Sequence, residues 1–168
     1  MLNSFKYSFI IPVFNRPEEV KELLKSFLKL DFKAAYEIVI IEDGSIKTCK
    51  SIISNFEASL NISYYFKENS GPGDSRNFGM QMAKGDYFII LDSDCILPSH
   101  YLKTVDTFLN NDFYHCFGGA DSANIDFTTL QKAINYTMTS FYTTGGIRGS
   151  EKSIQKFEPR SFNMGISK

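Results

Sequence analysis

The stretch YFIILDSDCILP, residues 87–98, joins an apolar run to a pair of acidic residues. Residues 87–91 are aliphatic or aromatic without interruption, which is typical of a strand covered on both faces in a parallel sheet. Asp92 and Asp94 follow at once, and residues two apart in extended backbone point to the same side. Two neighbouring carboxylates repel each other unless a cation lies close to them. The stretch therefore predicts a strand that ends at a cation site.

Further apolar runs alternate with helical patterns on either side of this stretch. Strands are predicted at residues 7–14, 36–43, 62–66 and 113–121, with helices between them. Another helix is predicted over residues 127–142, and no closing element is predicted for the final FNMGISK. This alternation indicates an α/β sandwich with a mainly parallel sheet.

Composition excludes several classes of partner and location. The chain has 168 residues, 43% of them hydrophobic, and this is enough for the core of one domain. Its net charge of −1 gives no reason to expect a nucleic-acid partner. No apolar segment approaches the ~20 residues that span a bilayer, and the first apolar run is predicted as a strand rather than a signal peptide. We therefore expect a cytoplasmic domain.

Polar or exposed side chains are predicted where each strand ends, at the sheet edge where open parallel sheets bind ligands. Phe14 offers a face for a flat base, and Asp43 offers an acceptor for a base or a ribose. Gly71 permits close backbone approach, and Arg76 suits a phosphate. The plainer alternatives are a core position for Phe14, turns at Asp43 and Gly71, and solvated acids after the fourth strand. These alternatives stay open at this point.

The acidic pair points to a particular kind of cation. Hard ions such as Mg²⁺ and Mn²⁺ take oxygen ligands, and Mg²⁺ commonly uses one or two protein carboxylates together with phosphate and water. Asp92 and Asp94 at the end of a buried strand are therefore predicted to anchor a divalent cation and a phosphate group. The segment around Gly71 fits neither GxxxxGK[ST] nor GxGxxG, which disfavours a P-loop or a dinucleotide-binding fold.

Together these segments resemble the inverting glycosyltransferases of family 2, which have the GT-A fold. The matching segments are FIIPVFNR, IVIIEDGS, NSGPGDSRNFGMQMAKGDYFIILDSD and SFNMGIS. The likeness is close over residues 7–98 and looser beyond them. It implies one GT-A domain over residues 1–168, a three-layer α/β sandwich that is truncated at its C-terminal end. Residues 7–98 would form the nucleotide-sugar and metal-binding half, and residues 99–168 the start of the acceptor-side half.

The resemblance also implies roles for individual residues. Pro12, Val13 and Phe14 would line the base, which is usually uracil in this family. Asp43 would hydrogen-bond the base, and Gly71 and Arg76 would lie along the nucleotide pocket. Asp94, the implied catalytic residue, would ligate Mn²⁺ or Mg²⁺ together with Asp92. Three more substrate contacts are implied. Asp92 would also reach the ribose, Ser93 would contact the donor, and Asp121 would line the sugar or acceptor pocket.

The implied reaction moves a sugar from a nucleotide-diphospho-sugar, with UDP as the expected nucleotide, to an acceptor hydroxyl with inversion. The expected acceptor is a saccharide or a lipid-linked saccharide, in polysaccharide biosynthesis. The family's usual base follows an FNMGIS-like stretch, so we expect this chain to lack it. A non-catalytic nucleotide-sugar-binding fragment is one alternative. Another is a nucleotidyltransferase, which the glycine-free NRPEEVKEL after strand one disfavours. Peripheral association with the inner face of a membrane, through chain beyond residue 168, also stays open.

Overall fold

The computed structural model describes residues 6–119, 128–140 and 162–168. Strands and helices alternate along most of these residues, as the apolar runs predict. The elements are β1 (Tyr7–Val13), α1 (Pro17–Phe27), β2 (Tyr36–Asp43), α2 (Lys50–Ile53), β3 (Ile62–Lys67), α3 (Pro72–Met82), β4 (Tyr87–Leu91), α4 (Tyr101–Asn111), β5 (Cys116–Gly118), α5 (Thr129–Thr139) and β6 (Asn163–Ser167).

Six strands form one sheet in the order β3-β2-β1-β4-β6-β5. Strand β1 pairs in parallel with both β2 and β4, and β2 pairs in parallel with β3. The chain thus builds outward from β1 to β3 and then returns to place β4 on the other side of β1. Such a reversal of strand order opens a crevice at the carboxyl ends of the two central strands. The prediction of an α/β fold with a mainly parallel sheet is confirmed.

The sheet is covered on both faces, which explains why residues 9–13, 38–41 and 87–91 of its central strands are apolar without interruption. Helices α1 and α4 pack on one face, against a buried set that includes Phe9, Ile11, Ile38, Ile40 and Ile89. Helix α3 packs on the other face, against Ile10, Val39, Ile41 and Ile90. Each fully buried side chain of this kind contributes about 1.5–3 kcal/mol. The three layers hold β1, β2 and β4 rigidly, and their carboxyl ends form the site described below.

Strand β6 shows that the prediction of no closing element in the final FNMGISK is wrong. It lies antiparallel between β4 and β5, with Gly165 opposite both Ile89 and Phe117. The Phe117 ring occupies the place where a side chain at residue 165 would project. The segment is short and half polar, so local preference does not identify it as a strand. Its pairing with β4 makes it one, because strand formation depends strongly on cross-strand context.

Helices lie between the strands as predicted. The helix between β2 and β3 is confined to α2, Lys50–Ile53, and turns follow it. The helix between β3 and β4 begins at Pro72, so the glycine-rich segment before Arg76 is part of α3. Across the described ranges, no helix combines the length and the apolar character needed to cross a membrane. The division of the domain at residue 98 stays a prediction.

Helix α3 can approach the sheet closely because Gly79 has no side chain. A Cβ there would lie 2.5 Å from Ile41 Cδ1 and 2.6 Å from Ile10 Cγ2. We expect Gly79→Val to lower the free energy of unfolding by about 1–3 kcal/mol, because overpacking displaces well-packed neighbours. Urea unfolding measures this change. Gly73→Val is the matched control, since a Cβ at this position in the same helix meets nothing within 4 Å. Equal losses in the two variants would contradict the close approach.

Candidate functional site

A cleft of about 360 Å³ opens at the carboxyl ends of β1, β2 and β4. It is lined by Pro12, Val13, Phe14, Arg16, Asp43, Pro72, Arg76, Asp92, Ser93 and Asp94. Every site residue predicted from the sequence lines this cleft except two. Gly71 lies at its edge, next to Pro72, and Asp121 lies outside the described residues. The strand ends therefore converge as the parallel topology requires.

The loop after β1 presents one aromatic ring to the cleft. Phe14 is 51% exposed, so the alternative of a core position is wrong. Asn15 follows with φ 55, a left-handed conformation that asparagine tolerates better than most residues. Its side-chain Oδ1 accepts hydrogen bonds from the backbone N–H groups of Ile46 and Lys47 at 2.8 and 3.0 Å. These bonds tie the β1 loop to the β2 loop and fix the backbone next to Phe14.

Asp43, the last residue of β2, is only 3% exposed and is surrounded by donors. Lys67 Nζ lies 2.5 Å from its Oδ1, which also accepts the Ser70 N–H at 3.0 Å. Its Oδ2 accepts the Gly71 N–H at 2.9 Å. Burial alone would raise the pKa of the Asp43 carboxyl, but the bonds from Lys67, Ser70 and Gly71 lower it overall. The carboxylate is therefore ionised at neutral pH and acts only as an acceptor.

Gly71 links Asp43 to the start of α3. It is the residue before the helix, with φ 92, a region that favours glycine. This conformation directs the Gly71 N–H to Asp43 Oδ2 and lets Pro72 begin the helix, where proline is well suited to the first position. The glycine therefore shapes the cleft edge through its backbone. The second turn of α3 then brings Arg76 into the cleft.

Each carboxylate of the acidic pair faces a guanidinium. Asp92 Oδ1 lies 2.9 Å from Arg76 Nη2, with side chains 42% and 18% exposed. Asp94 Oδ2 lies 2.9 Å from Arg16 Nη1, and both of these side chains are about half exposed. The lining thus holds three carboxylates and two guanidiniums in one small volume. This arrangement suits an anionic ligand that binds together with a cation.

Comparison with known proteins gives these residues a context. The family model described as glycosyl transferase family 2 matches residues 8–166.

The chain belongs to glycosyltransferase family 2.

Two curated relatives show how members of this family resemble the chain. Poly(ribitol-phosphate) beta-N-acetylglucosaminyltransferase TarS of Staphylococcus aureus is 32% identical over 108 residues, which are 62% of this chain and 19% of TarS. The GalNAc(5)-diNAcBac-PP-undecaprenol beta-1,3-glucosyltransferase of Campylobacter jejuni is 34% identical over 116 residues, which are 67% of this chain and 37% of that enzyme. This family 2 chain thus spans well under half the length of either relative.

Solved structures of such enzymes share its fold. The crystal structure of S. aureus TarS 1–349 in complex with UDP-GlcNAc matches with a TM-score of 0.66 and 28% identity, covering 73% of this chain and 36% of that one. Mannosyltransferase PcManGT from Pyrobaculum calidifontis, in complex with GDP-Man and Mn²⁺, matches with a TM-score of 0.70 and 15% identity. The match covers 98% of this chain and 45% of the mannosyltransferase chain. The predicted GT-A fold of this family 2 member is confirmed.

The donor set of the cleft fits a hard divalent cation. Within the described residues, no three His, Cys, Asp or Glu side chains are grouped to hold a metal ion. Asp92 and Asp94 nevertheless supply two carboxylates to one cleft. Mg²⁺ commonly takes one or two protein carboxylates and completes its shell with phosphate and water. The set is therefore of the kind that binds a cation together with a phosphate ligand.

Three residues of this family 2 site were missed by sequence reasoning. Pro72 and Arg16 line the cleft. Lys67 does not line it but donates a hydrogen bond to Asp43. Arg16 lies two residues after Phe14, which is close enough to the end of β1 to signal a place at the same sheet edge. Lys67 is the last residue of β3 and lies directly opposite Asp43 in the parallel register. Only knowledge of that register gives Lys67 its role.

Proposed function

We propose that this domain binds a nucleotide-diphospho-sugar and a divalent cation, and that the protein transfers the sugar to an acceptor hydroxyl with inversion. One observation carries the proposal: the acidic pair Asp92 and Asp94 lies in the same cleft as the exposed Phe14 ring and the ionised Asp43. Membership of glycosyltransferase family 2 supports it. Similarity to TarS, whose crystal structure holds UDP-GlcNAc, supports a uridine donor.

Base recognition follows from the state of Asp43. An ionised carboxylate accepts hydrogen bonds and donates none. It therefore selects a base that presents an N–H, such as the N3–H of uracil, over one that presents a ring acceptor there, such as cytosine. Pro12, Val13 and Phe14 offer apolar contact for the ring. We propose that these four residues together bind uracil.

The diphosphate needs positive charge beyond what the cleft residues offer. Each carboxylate that lines the cleft is already paired with a cationic side chain, so these residues leave no net positive charge to offset a pyrophosphate. We propose that Asp94 and Asp92 hold Mn²⁺ or Mg²⁺, with Asp92 and Ser93 also near the ribose. Such an ion, when bound, supplies Lewis-acid stabilisation of the departing nucleoside diphosphate. Arg76 would donate to the same developing charge from the second turn of α3.

The acceptor and the location are proposed by similarity to the relatives. TarS is named for transfer to poly(ribitol-phosphate), and the C. jejuni enzyme for transfer to an undecaprenol-linked saccharide. We propose a saccharide or lipid-linked saccharide acceptor, in polysaccharide synthesis at the cytoplasmic side of a membrane. Asp121 is proposed to line the sugar or acceptor pocket. A carboxylate base is required to take the acceptor proton.

Calorimetry on this chain tests the donor assignment. We expect UDP to bind in the presence of Mn²⁺, CDP to bind more weakly, and UDP binding to weaken when EDTA removes the ion. UDP release from a panel of UDP-sugars by the full-length protein then tests transfer. Binding without release would favour a non-catalytic nucleotide-sugar-binding domain. Absence of UDP binding with Mn²⁺ would overturn the proposal.

A further inference from the structure

Arg16 is a cleft residue that the donor and cation assignments above leave without a role. It lies directly before α1, and its guanidinium reaches across the cleft to Asp94. The Nη1–Oδ2 distance is 2.9 Å, and the side chains are 51% and 54% exposed. One ion pair in this exposed setting is weak, because solvent screens the charges and both long side chains lose freedom when they pair. The pair is therefore easily exchanged for other partners.

The backbone beneath Arg16 is fixed although its side chain is not. Asn15 N–H donates to Ser45 Oγ at 2.7 Å, and Asn15 Oδ1 accepts from Ile46 and Lys47. Val20 N–H donates to the Arg16 carbonyl at 3.2 Å, in the first turn of α1. A change of partner at Arg16 thus requires rotation of its side chain alone. Arg76 differs, because its side chain is only 18% exposed.

A divalent cation at Asp94 and the guanidinium of Arg16 compete for the same carboxylate. Two such positive centres at one carboxylate repel each other strongly, even with the screening that is typical of a protein surface. The arrival of the cation would therefore release Arg16. An anionic ligand held by that cation would then lie within reach of the released side chain, because both residues line one cleft.

We propose that Arg16 is a second diphosphate-binding residue, which neutralises Asp94 in the free protein and moves to the phosphates when a divalent cation binds. The inference rests on the proposed function. Its chemistry is that of an arginine fork on phosphate oxygens, which is among the stronger hydrogen-bonded pairs in proteins. Asp94 thus has two alternating cationic partners, and Arg16 has two alternating anionic ones.

Binding measurements on Arg16→Met and Arg16→Lys test the inference without any catalytic assay. For Arg16→Met, we expect Mn²⁺ alone to bind about twofold to fivefold more tightly, because the competing partner of Asp94 is gone. With Mn²⁺ saturating, we expect UDP to bind about tenfold to a hundredfold more weakly, the usual effect of losing a hydrogen bond to a charged group. Uridine, which has no phosphate, should bind as it does to the wild type. Arg16→Lys should give intermediate UDP affinity.

Lys103→Met is the matched control, since Lys103 forms an exposed ion pair with Asp31 at 3.1 Å and does not line the cleft. It should leave all three affinities unchanged. Equal UDP affinity in wild type and Arg16→Met, or weaker Mn²⁺ binding in Arg16→Met, overturns this inference while leaving the donor assignment intact. Failure of the wild type to bind UDP with Mn²⁺ overturns both. Thermal unfolding of each variant confirms that the comparison is between folded proteins.

Discussion

Replacing Asp94 with asparagine is expected to remove the manganese dependence of UDP binding while leaving the domain folded. Asparagine keeps the size of the side chain but loses the charge that a divalent cation requires. With Mn²⁺ saturating, we expect UDP affinity to fall roughly tenfold to a hundredfold, because a contact to a charged group is lost. The free energy of unfolding should change by less than ~0.5 kcal/mol, since Asp94 is about half exposed and its one ion pair is weak. Calorimetry with and without Mn²⁺ gives the affinities, and urea unfolding gives the stability.

Asp31→Asn serves as the control for this change. Asp31 is also an exposed aspartate paired with a single cation, Lys103, but it lies outside the cleft. Its replacement should leave UDP binding and its manganese dependence untouched. Unaltered metal-dependent affinity in Asp94→Asn would show that the cation binds elsewhere, and the assignment of the acidic pair would be wrong.

Asp43→Ala is expected to lower both uridine affinity and stability. The side chain is buried and accepts bonds from Lys67 and from the N–H groups of Ser70 and Gly71. Removing the acceptor leaves Lys67 with Asp74 as its carboxylate partner and deprives two N–H groups of theirs, which costs about 1–3 kcal/mol. We expect uridine binding to fall about tenfold or more, because the acceptor for the base is lost. NMR titration with uridine and urea unfolding measure the two effects.

Asp43 also predicts a pH dependence. Its folded-state pKa is lowered, so its contribution to stability is present above the ordinary carboxyl pKa of ~3.9 and is lost as the pH falls through the native value. For Lys67, burial lowers the pKa, but the bonds to Asp43 and Asp74 raise it overall. The lysine contribution is therefore present below ~10.4 and is lost as the pH rises through its native pKa. The difference in free energy of unfolding between wild type and Asp43→Ala should be largest between pH ~3.9 and ~10.4, and it should shrink in acid.

Asp74→Ala is the control for Asp43→Ala. Asp74 contacts the same lysine at 3.3 Å, but its side chain is 61% exposed. Its removal should cost little stability and leave uridine affinity unchanged. If the two variants behave alike, Asp43 contributes only to the general charge of the loop, and direct recognition of the base is contradicted.

The half of the molecule that builds the cleft could be predicted from the sequence because its signals are local. Strands β1, β2 and β4 each contain an unbroken apolar run of four or five residues, and a polar or exposed residue follows each run. Parallel topology then requires that Phe14, Asp43, Asp92 and Asp94 meet at one edge. The strand ends and the parallel topology are enough to predict that these residues lie close together. The glycosyltransferase resemblance added roles to positions that the strand ends already marked.

The features that were missed depend on pairings between distant parts of the chain. Lys67 has no local mark, and only the register of β3 against β2 places it beside Asp43. In the sequence Arg16 is marked only as the residue before a helix. Its role depends on Asp94, which the turn after β4 places beside it. Strand β6 is defined by β4 and β5, from which it is separated in sequence by residues that include α5. In each case the decisive partner is far along the chain.

The antiparallel position of β6 has a consequence for how the domain is made. During synthesis, β4 leaves the ribosome before α4, β5 and α5, and its hydrogen-bonding edge has no neighbour until residues 163–167 emerge. An unpaired apolar edge invites association with other nascent chains, and chaperones commonly shield such edges. The sheet is therefore expected to complete its folding only after translation has passed Ser167, and shortened chains that lack β6 are expected to aggregate rather than remain monomeric.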